Sequence, residues 1–127
     1  TYEVVDELTR AGIGQSTVVG IGGDPVIGQT FVDVLARFED DPQTKAVVVI
    51  GEVGGNLEEE GVRSTSLPVV SYIAGVSAPP EKRMGHAGAI IEGGEGDARS
   101  KVRRLAALGI PVASRPSEIP GLIRSML

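Results

Sequence analysis

Cysteine is absent from this 127-residue chain and histidine occurs once. That removes disulfides, thiolate nucleophiles and Cys-ligated zinc together, and a single imidazole leaves no multi-His metal site. Aromatic residues are scarce, with two Tyr, two Phe and no Trp, although 41% of the chain is hydrophobic. The core must therefore be built from Val, Ile, Leu and Ala, which favours a β-branched parallel sheet buried on both faces. No apolar run reaches the ~20 residues that a membrane helix needs, and no basic segment leads into an apolar leader at the N-terminus. A net charge of -5 and the lack of a Lys/Arg stripe interleaved with aromatics oppose binding to a phosphate backbone, so nucleic acid is not an expected partner. Length and composition suit one soluble domain over residues 1–127, intracellular in style. The opening Thr1-Tyr2-Glu3-Val4-Val5 enters helical spacing at once without a Met, which leads us to expect a piece excised from a longer protein.

Apolar residues Val4, Val5, Leu8 and Ala11 recur at spacings of three and four, predicting a first helix that Gly12 ends. Thr17-Val18-Val19-Gly20-Ile21 is a β-branched run between glycines and reads as a buried strand. It empties into Gly22-Gly23-Asp24-Pro25, where proline stands in place of the third glycine of a dinucleotide-binding G-x-G-x-x-G. Phe31, Val34, Leu35 and Phe38 form a second helical face, stopped by Asp40-Asp41-Pro42. Ala46-Val47-Val48-Val49-Ile50 is a continuous apolar run of the kind that makes a central parallel strand, and it exits into Gly51-Glu52-Val53-Gly54-Gly55. Asn56 is expected to cap a short helix whose Glu58, Glu59 and Glu60 lie favourably at the positive end of its dipole. A third strand follows over Pro68–Ala74, then a long loop. Asp97 is expected to cap a helix facing inward through Ala98, Val102, Leu105 and Ala106. Ile110–Ala113 makes a last short strand, and Ser117 caps a closing helix. Strands alternating with helix-length crossovers give an α/β fold: a three-layer, doubly wound parallel sheet of flavodoxin-like type.

Two residues stand out chemically. Glu52 follows a central strand in a glycine-rich turn, beyond the carboxyl end, where open α/β sheets carry their functional groups. His86 sits in Gly85-His86-Ala87-Gly88, late in the long loop that Pro79 and Pro80 stiffen. Histidine keeps a neutral, nucleophilic fraction near pH 7, and flanking glycines let bulky reactants approach. The glycines of Gly93-Gly94-Glu95-Gly96-Asp97 invite a phosphate-cradle reading, but Glu92, Glu95 and Asp97 would repel an anion. Lys82 and Arg83 read as solvated loop charges.

Taken together, Gly12-Ile13-Gly14-Gln15-Ser16-Thr17, Gly20-Ile21-Gly22-Gly23-Asp24-Pro25, Asp41-Pro42-Gln43-Thr44, Ile50-Gly51-Glu52-Val53-Gly54-Gly55 and Lys82-Arg83-Met84-Gly85-His86-Ala87-Gly88-Ala89-Ile90-Ile91 resemble the C-terminal ligase domain of succinyl-CoA synthetase α subunits. The likeness covers nearly the whole chain. It implies that His86 is the histidine phosphorylated during turnover, and that Glu52 orients it and stabilises charge on its ring. It implies a reversible acid–thiol ligase reaction of the citric acid cycle, joining succinate and coenzyme A through succinyl phosphate at the expense of ATP or GTP. No metal site or cofactor is expected within this domain alone; coenzyme A, nucleotide and Mg would act in the full enzyme. The implied partners are an ATP-grasp β subunit, an N-terminal CoA-binding domain and the small molecules succinate and succinyl phosphate. The implied location is cytoplasmic for a bacterial-type protein, or the mitochondrial matrix for a eukaryotic one.

Three positions depart from the family pattern: the helix after Gly55 is short, Glu81 replaces a usual glycine, and Glu95 a usual lysine. The alternatives in the same fold are another NDP-forming acyl-CoA synthetase, an ATP-citrate lyase module, or a docking module without catalysis.

Overall fold

The computed structural model describes residues 1–76 and 97–127. Among the described residues the strands are β1 (Val47–Gly51), β2 (Val69–Ile73) and β3 (Val112–Ala113), all parallel and ordered β1-β2-β3. Val47 pairs with Val69 and Gly51 with Ile73, so the carboxyl ends of β1 and β2 are level. The helices are α1 (Tyr2–Arg10), α2 (Phe31–Glu39), α3 (Leu57–Arg63), α4 (Ala98–Ala107) and α5 (Ile119–Met126), with a 3-10 turn over Pro116–Glu118 leading into α5.

Strand periodicity splits the core in two. Val47, Val49, Val69 and Ile73 point to one face, where they meet Leu35 of α2, Val62 of α3, and Ala98 and Leu105 of α4. Val70 and Ala113 point to the other, against Val4 and Leu8 of α1 and Ile119 and Ile123 of α5. A three-layer, doubly wound α/β fold results, as composition and alternation predict. Each fully buried aliphatic side chain, such as Leu105 or Val70, contributes about 1.5–3 kcal/mol.

Local chemistry sets the helix boundaries. Thr30 and Asp33 form a reciprocal capping box at the start of α2, with Thr30 N donating to Asp33 Oδ2 at 2.9 Å and Asp33 N donating to Thr30 Oγ1 at 3.2 Å. Helices α2 and α3 approach closely at Gly61, where a Cβ would lie 2.6 Å from Phe31 Cβ.

Four expectations need correction. Thr17–Ile21 forms no strand: among the described residues β1 pairs with β2 alone, and Val18 and Val19 are 50% and 39% exposed. The run borders an open groove of about 550 Å³ along the outer edge of β1, between α1 and α2. Two valines among four nearby glycines bury too little to offset the ordering cost of so flexible a segment. Asn56 takes the N-cap position of α3 but its side chain makes no cap hydrogen bond. Ser117 lies within the 3-10 turn; Glu118 takes the N-cap position of α5, which begins at Ile119 with Pro120 in its first turn. Ala106 is exposed, and the fourth inward position of α4 is taken by Lys101.

Candidate functional site

The site is built on the carboxyl ends of β1 and β2. Gly51 closes β1 and is buried; Glu52 follows it directly and is half-buried. One strand over, Ala74 N donates to Gly51 O at 2.9 Å, extending the ladder by one rung beyond β2. Both exits turn on glycines with positive φ, Gly54 (99°) and Gly55 (61°) after β1 and Gly75 (89°) after β2, a backbone region that side chains with a Cβ rarely adopt. From Gly75 the chain runs toward residues 77–96. His86 lies in that stretch, outside the described residues, as do Lys82, Arg83 and the glycines of Gly93–Gly96. Of the two residues singled out by sequence, Glu52 is therefore described and His86 is not.

Beneath Glu52 lies a network that sequence reading missed. Lys101 of α4 is completely buried, and its Nζ donates to Glu58 Oε2 of α3 at 2.6 Å and to the backbone carbonyl of Glu52 at 2.7 Å. One helical turn on, Arg104 Nε donates to Glu59 Oε1 at 2.7 Å, where the Glu59 side chain is 4% exposed. Glu58 and Glu59 thus stitch α3 to α4 and are not free dipole-compensating charges. A signal was available: in α4 residues 98, 101, 102 and 105 share one face, so Lys101 interrupts an apolar stripe, and Glu58 lies one turn before the buried Val62. A lysine and a glutamate at core spacing on neighbouring helices point to each other.

The entry into α4 follows the expected cap. Asp97 Oδ1 accepts from Ser100 N at 2.6 Å, and this backbone bond is the main cause holding the Asp97 carboxyl below its ordinary value, opposed by partial desolvation. A carboxyl whose folded pKa lies below its unfolded one, near 3.9, contributes stability that is present at neutral pH and lost as pH falls through the folded value. Asp97→Ala should therefore lower the urea midpoint at pH 7, and the gap to wild type should start to narrow only as pH falls below the unfolded value of about 3.9 and shrink further as it passes through the lower folded value. A gap of constant size across the whole acid titration would show that the carboxylate is not its source.

Among the described residues no helix is long and apolar enough to cross a membrane.

Comparison with known proteins then gives the following. A family model described as CoA-ligase matches residues 1–110. The chain is 57% identical over 130 positions to succinate–CoA ligase [ADP-forming] subunit alpha 2 of Archaeoglobus fulgidus, covering 100% of this chain and 45% of that protein. It is 60% identical over 130 positions to the corresponding subunit alpha of Methanothermobacter thermautotrophicus, covering 100% and 44%, and 56% identical over 123 positions to that of Staphylococcus aureus, covering 94% and 41%. The chain thus spans less than half the length of these relatives. Among solved structures, Methanosaeta concilii ATP citrate lyase in complex with (3S)-citryl-CoA superposes with a TM-score of 0.72 at 25% identity, over 83% of this chain and 18% of that one.

Proposed function

The chain belongs to the CoA-ligase family, and we propose that it is the C-terminal, phosphoryl-carrying domain of a succinate–CoA ligase α subunit, with His86 as carrier and Glu52 as the acid that supports it. The observation that carries the reading is the shared sheet end. Glu52 leaves β1 at the level where β2, bonded to it through Ala74 N, runs on into the segment that contains His86. The identity of 57–60% to succinate–CoA ligase α subunits favours that acid over citrate, although an ATP citrate lyase shares the fold.

In the synthetic direction a neutral ring nitrogen of His86 attacks the terminal phosphorus of a nucleoside triphosphate. The N–P bond forms, the bridging P–O bond breaks, and the nucleoside diphosphate leaves. Succinate oxygen then takes the phosphoryl group from the ring to give succinyl phosphate, and coenzyme A thiolate displaces the phosphate to give the thioester. The carboxylate of Glu52, accepting from the other ring N–H, fixes the tautomer and offsets positive charge on the ring while the N–P bond exists. On this reading nucleotide and Mg are brought by an ATP-grasp β subunit and coenzyme A by an N-terminal CoA-binding domain. The enzyme works in the cytoplasm of a bacterial or archaeal cell.

The test uses the full-length native chain with its β subunit, Mg and γ-labelled nucleotide. The expected result is protein-bound phosphate that is acid-labile and alkali-stable, absent in His86→Asn. Glu52→Gln should fold normally and slow labelling by about 10²-fold, the effect of losing one preorganised electrostatic partner. Absence of label beside an active β subunit, or label that survives His86→Asn, overturns the carrier role; an unchanged rate in Glu52→Gln removes Glu52 from the site.

A further inference from the structure

The buried ammonium of Lys101 bonds to two groups of different kinds, and each contact constrains a different element. Its bond to Glu58 Oε2 at 2.6 Å ties α4 to α3, while its bond to Glu52 O at 2.7 Å ties α4 to the first residue beyond β1. With the lysine side chain 0% exposed and that of Glu58 8% exposed, neither partner has water to fall back on. A buried ion pair is weak evidence for a stability role, because apolar residues of equal volume commonly stabilise as well or better. What an apolar pair cannot reproduce is the second contact: a charged donor directed at one peptide carbonyl. Charge-assisted hydrogen bonds are short and about twice as strong as neutral ones, and their directionality fixes the group that accepts them.

The carbonyl concerned belongs to Glu52, in a turn whose next glycines, Gly54 and Gly55, resist little bending of their own. Gly51, on the other side, has no side chain to anchor the turn, and Glu58 fills the space a Cβ there would take. The Lys101 bond, beside the core-buried Val53, thus holds the Glu52 peptide between a rigid strand and a soft pair of glycines. Lys101 also lies in the first turns of α4, the helix entered directly from residues 77–96. One side chain therefore ties the candidate acid's backbone to both α3 and α4.

We infer that Lys101 is a positioning residue, whose ammonium, held by Glu58, fixes the backbone of Glu52 and with it the place from which the Glu52 carboxylate acts. This rests on the phosphohistidine reading. Lys101 takes no part in proton or phosphoryl transfer; it acts through Glu52.

The experiment compares wild type, Lys101→Met/Glu58→Leu, Glu52→Gln and the triple variant, each as the full-length chain with its β subunit. The double variant removes both charges at similar volume, so it should fold with a Tm close to wild type. Its phosphorylation rate and its kcat should nevertheless fall by about 10- to 100-fold, with KM for nucleotide, succinate and coenzyme A unchanged. In the Glu52→Gln background the same pair of substitutions should cost nothing further, because the carboxylate being positioned is already gone. If the double variant unfolds, Lys101→Gln/Glu58→Gln serves in its place, keeping polar contact across the helices while its shorter amide cannot reach Glu52 O.

A folded variant with wild-type rates overturns the inference, as does a rate loss that adds in full to that of Glu52→Gln, which would mark a general structural effect. Failure of wild type itself to label His86 is a different outcome: it overturns the carrier reading, and the positioning role with it.

Discussion

Glu58→Leu alone should destabilise the fold by about 3–5 kcal/mol, the cost of leaving one partner of a buried ion pair uncompensated. Lys101 Nζ would retain only the Glu52 carbonyl at 2.7 Å, at a position with no solvent exposure. A domain of this size has a total stability of about 5–15 kcal/mol, so the loss is a large fraction of the whole and should be plain in urea unfolding. Companion variants separate charge from packing. Lys101→Met alone should cost a similar amount, since it leaves Glu58 buried without its cation, whereas Lys101→Met/Glu58→Leu should return to within about 1–2 kcal/mol of wild type or exceed it. Single variants each losing less than about 1 kcal/mol would mean that water reaches the pair in solution, and the interior between α3 and α4 would then not be dry as described.

The same pair marks the boundary of what the sequence makes legible. Elements whose evidence is periodic emerge correctly: the apolar runs that become β1 and β2, the helical face of Phe31, Val34, Leu35 and Phe38, the inward Ala98, Val102 and Leu105, and the Asp97 cap. Their signal is local, and burial on both sheet faces reinforces it. The place of Glu52 directly beyond β1 is legible too, because the end of an apolar run marks the carboxyl end of a strand.

What escapes is what depends on two distant segments at once. Glu58 and Glu59 look like surface acids at a helix start until α4 supplies Lys101 and Arg104, more than forty residues later, each within 2.7 Å of its acid. The Thr17–Ile21 run has strand composition, but among the described residues no second segment joins it in the sheet; β propensity measures fit to a neighbour and cannot supply one. Ser117 fails as a cap because Pro116 and Pro120 set the backbone of the turn before the hydroxyl can act.

Gly51→Ala should test the same junction from the strand side, without removing any charge. Gly51 has no positive φ, so the substitution carries no backbone strain of the left-handed kind; its difficulty is space. A Cβ built there lies 2.6 Å from Glu58 Cγ and 2.8 Å from Cδ, and closer still to Oε1. A flexible acid would ordinarily swing aside, but Glu58 is 6% exposed and its other oxygen is held by Lys101 at 2.6 Å. Either the strand end shifts or the ion pair opens. Overpacking of a filled interior costs about 1–3 kcal/mol, and opening the pair adds to it, so a loss of about 2–4 kcal/mol is expected by urea unfolding. Gly22→Ala, which meets nothing within 4 Å, should stay within about 0.5 kcal/mol of wild type. The decisive comparison places Gly51→Ala in the Lys101→Met/Glu58→Ala background. With the acid cut back to a methyl group the added Cβ has room, and the cost should shrink to less than half. If it stays at full size there, the clash arises from the strand and not from Glu58, and the glycine before Glu52 would be kept for the backbone alone. If it shrinks, then Gly51, Glu58 and Lys101 form one packed unit, and the absence of a side chain at position 51 is what lets a buried carboxylate and its lysine reach the peptide of Glu52.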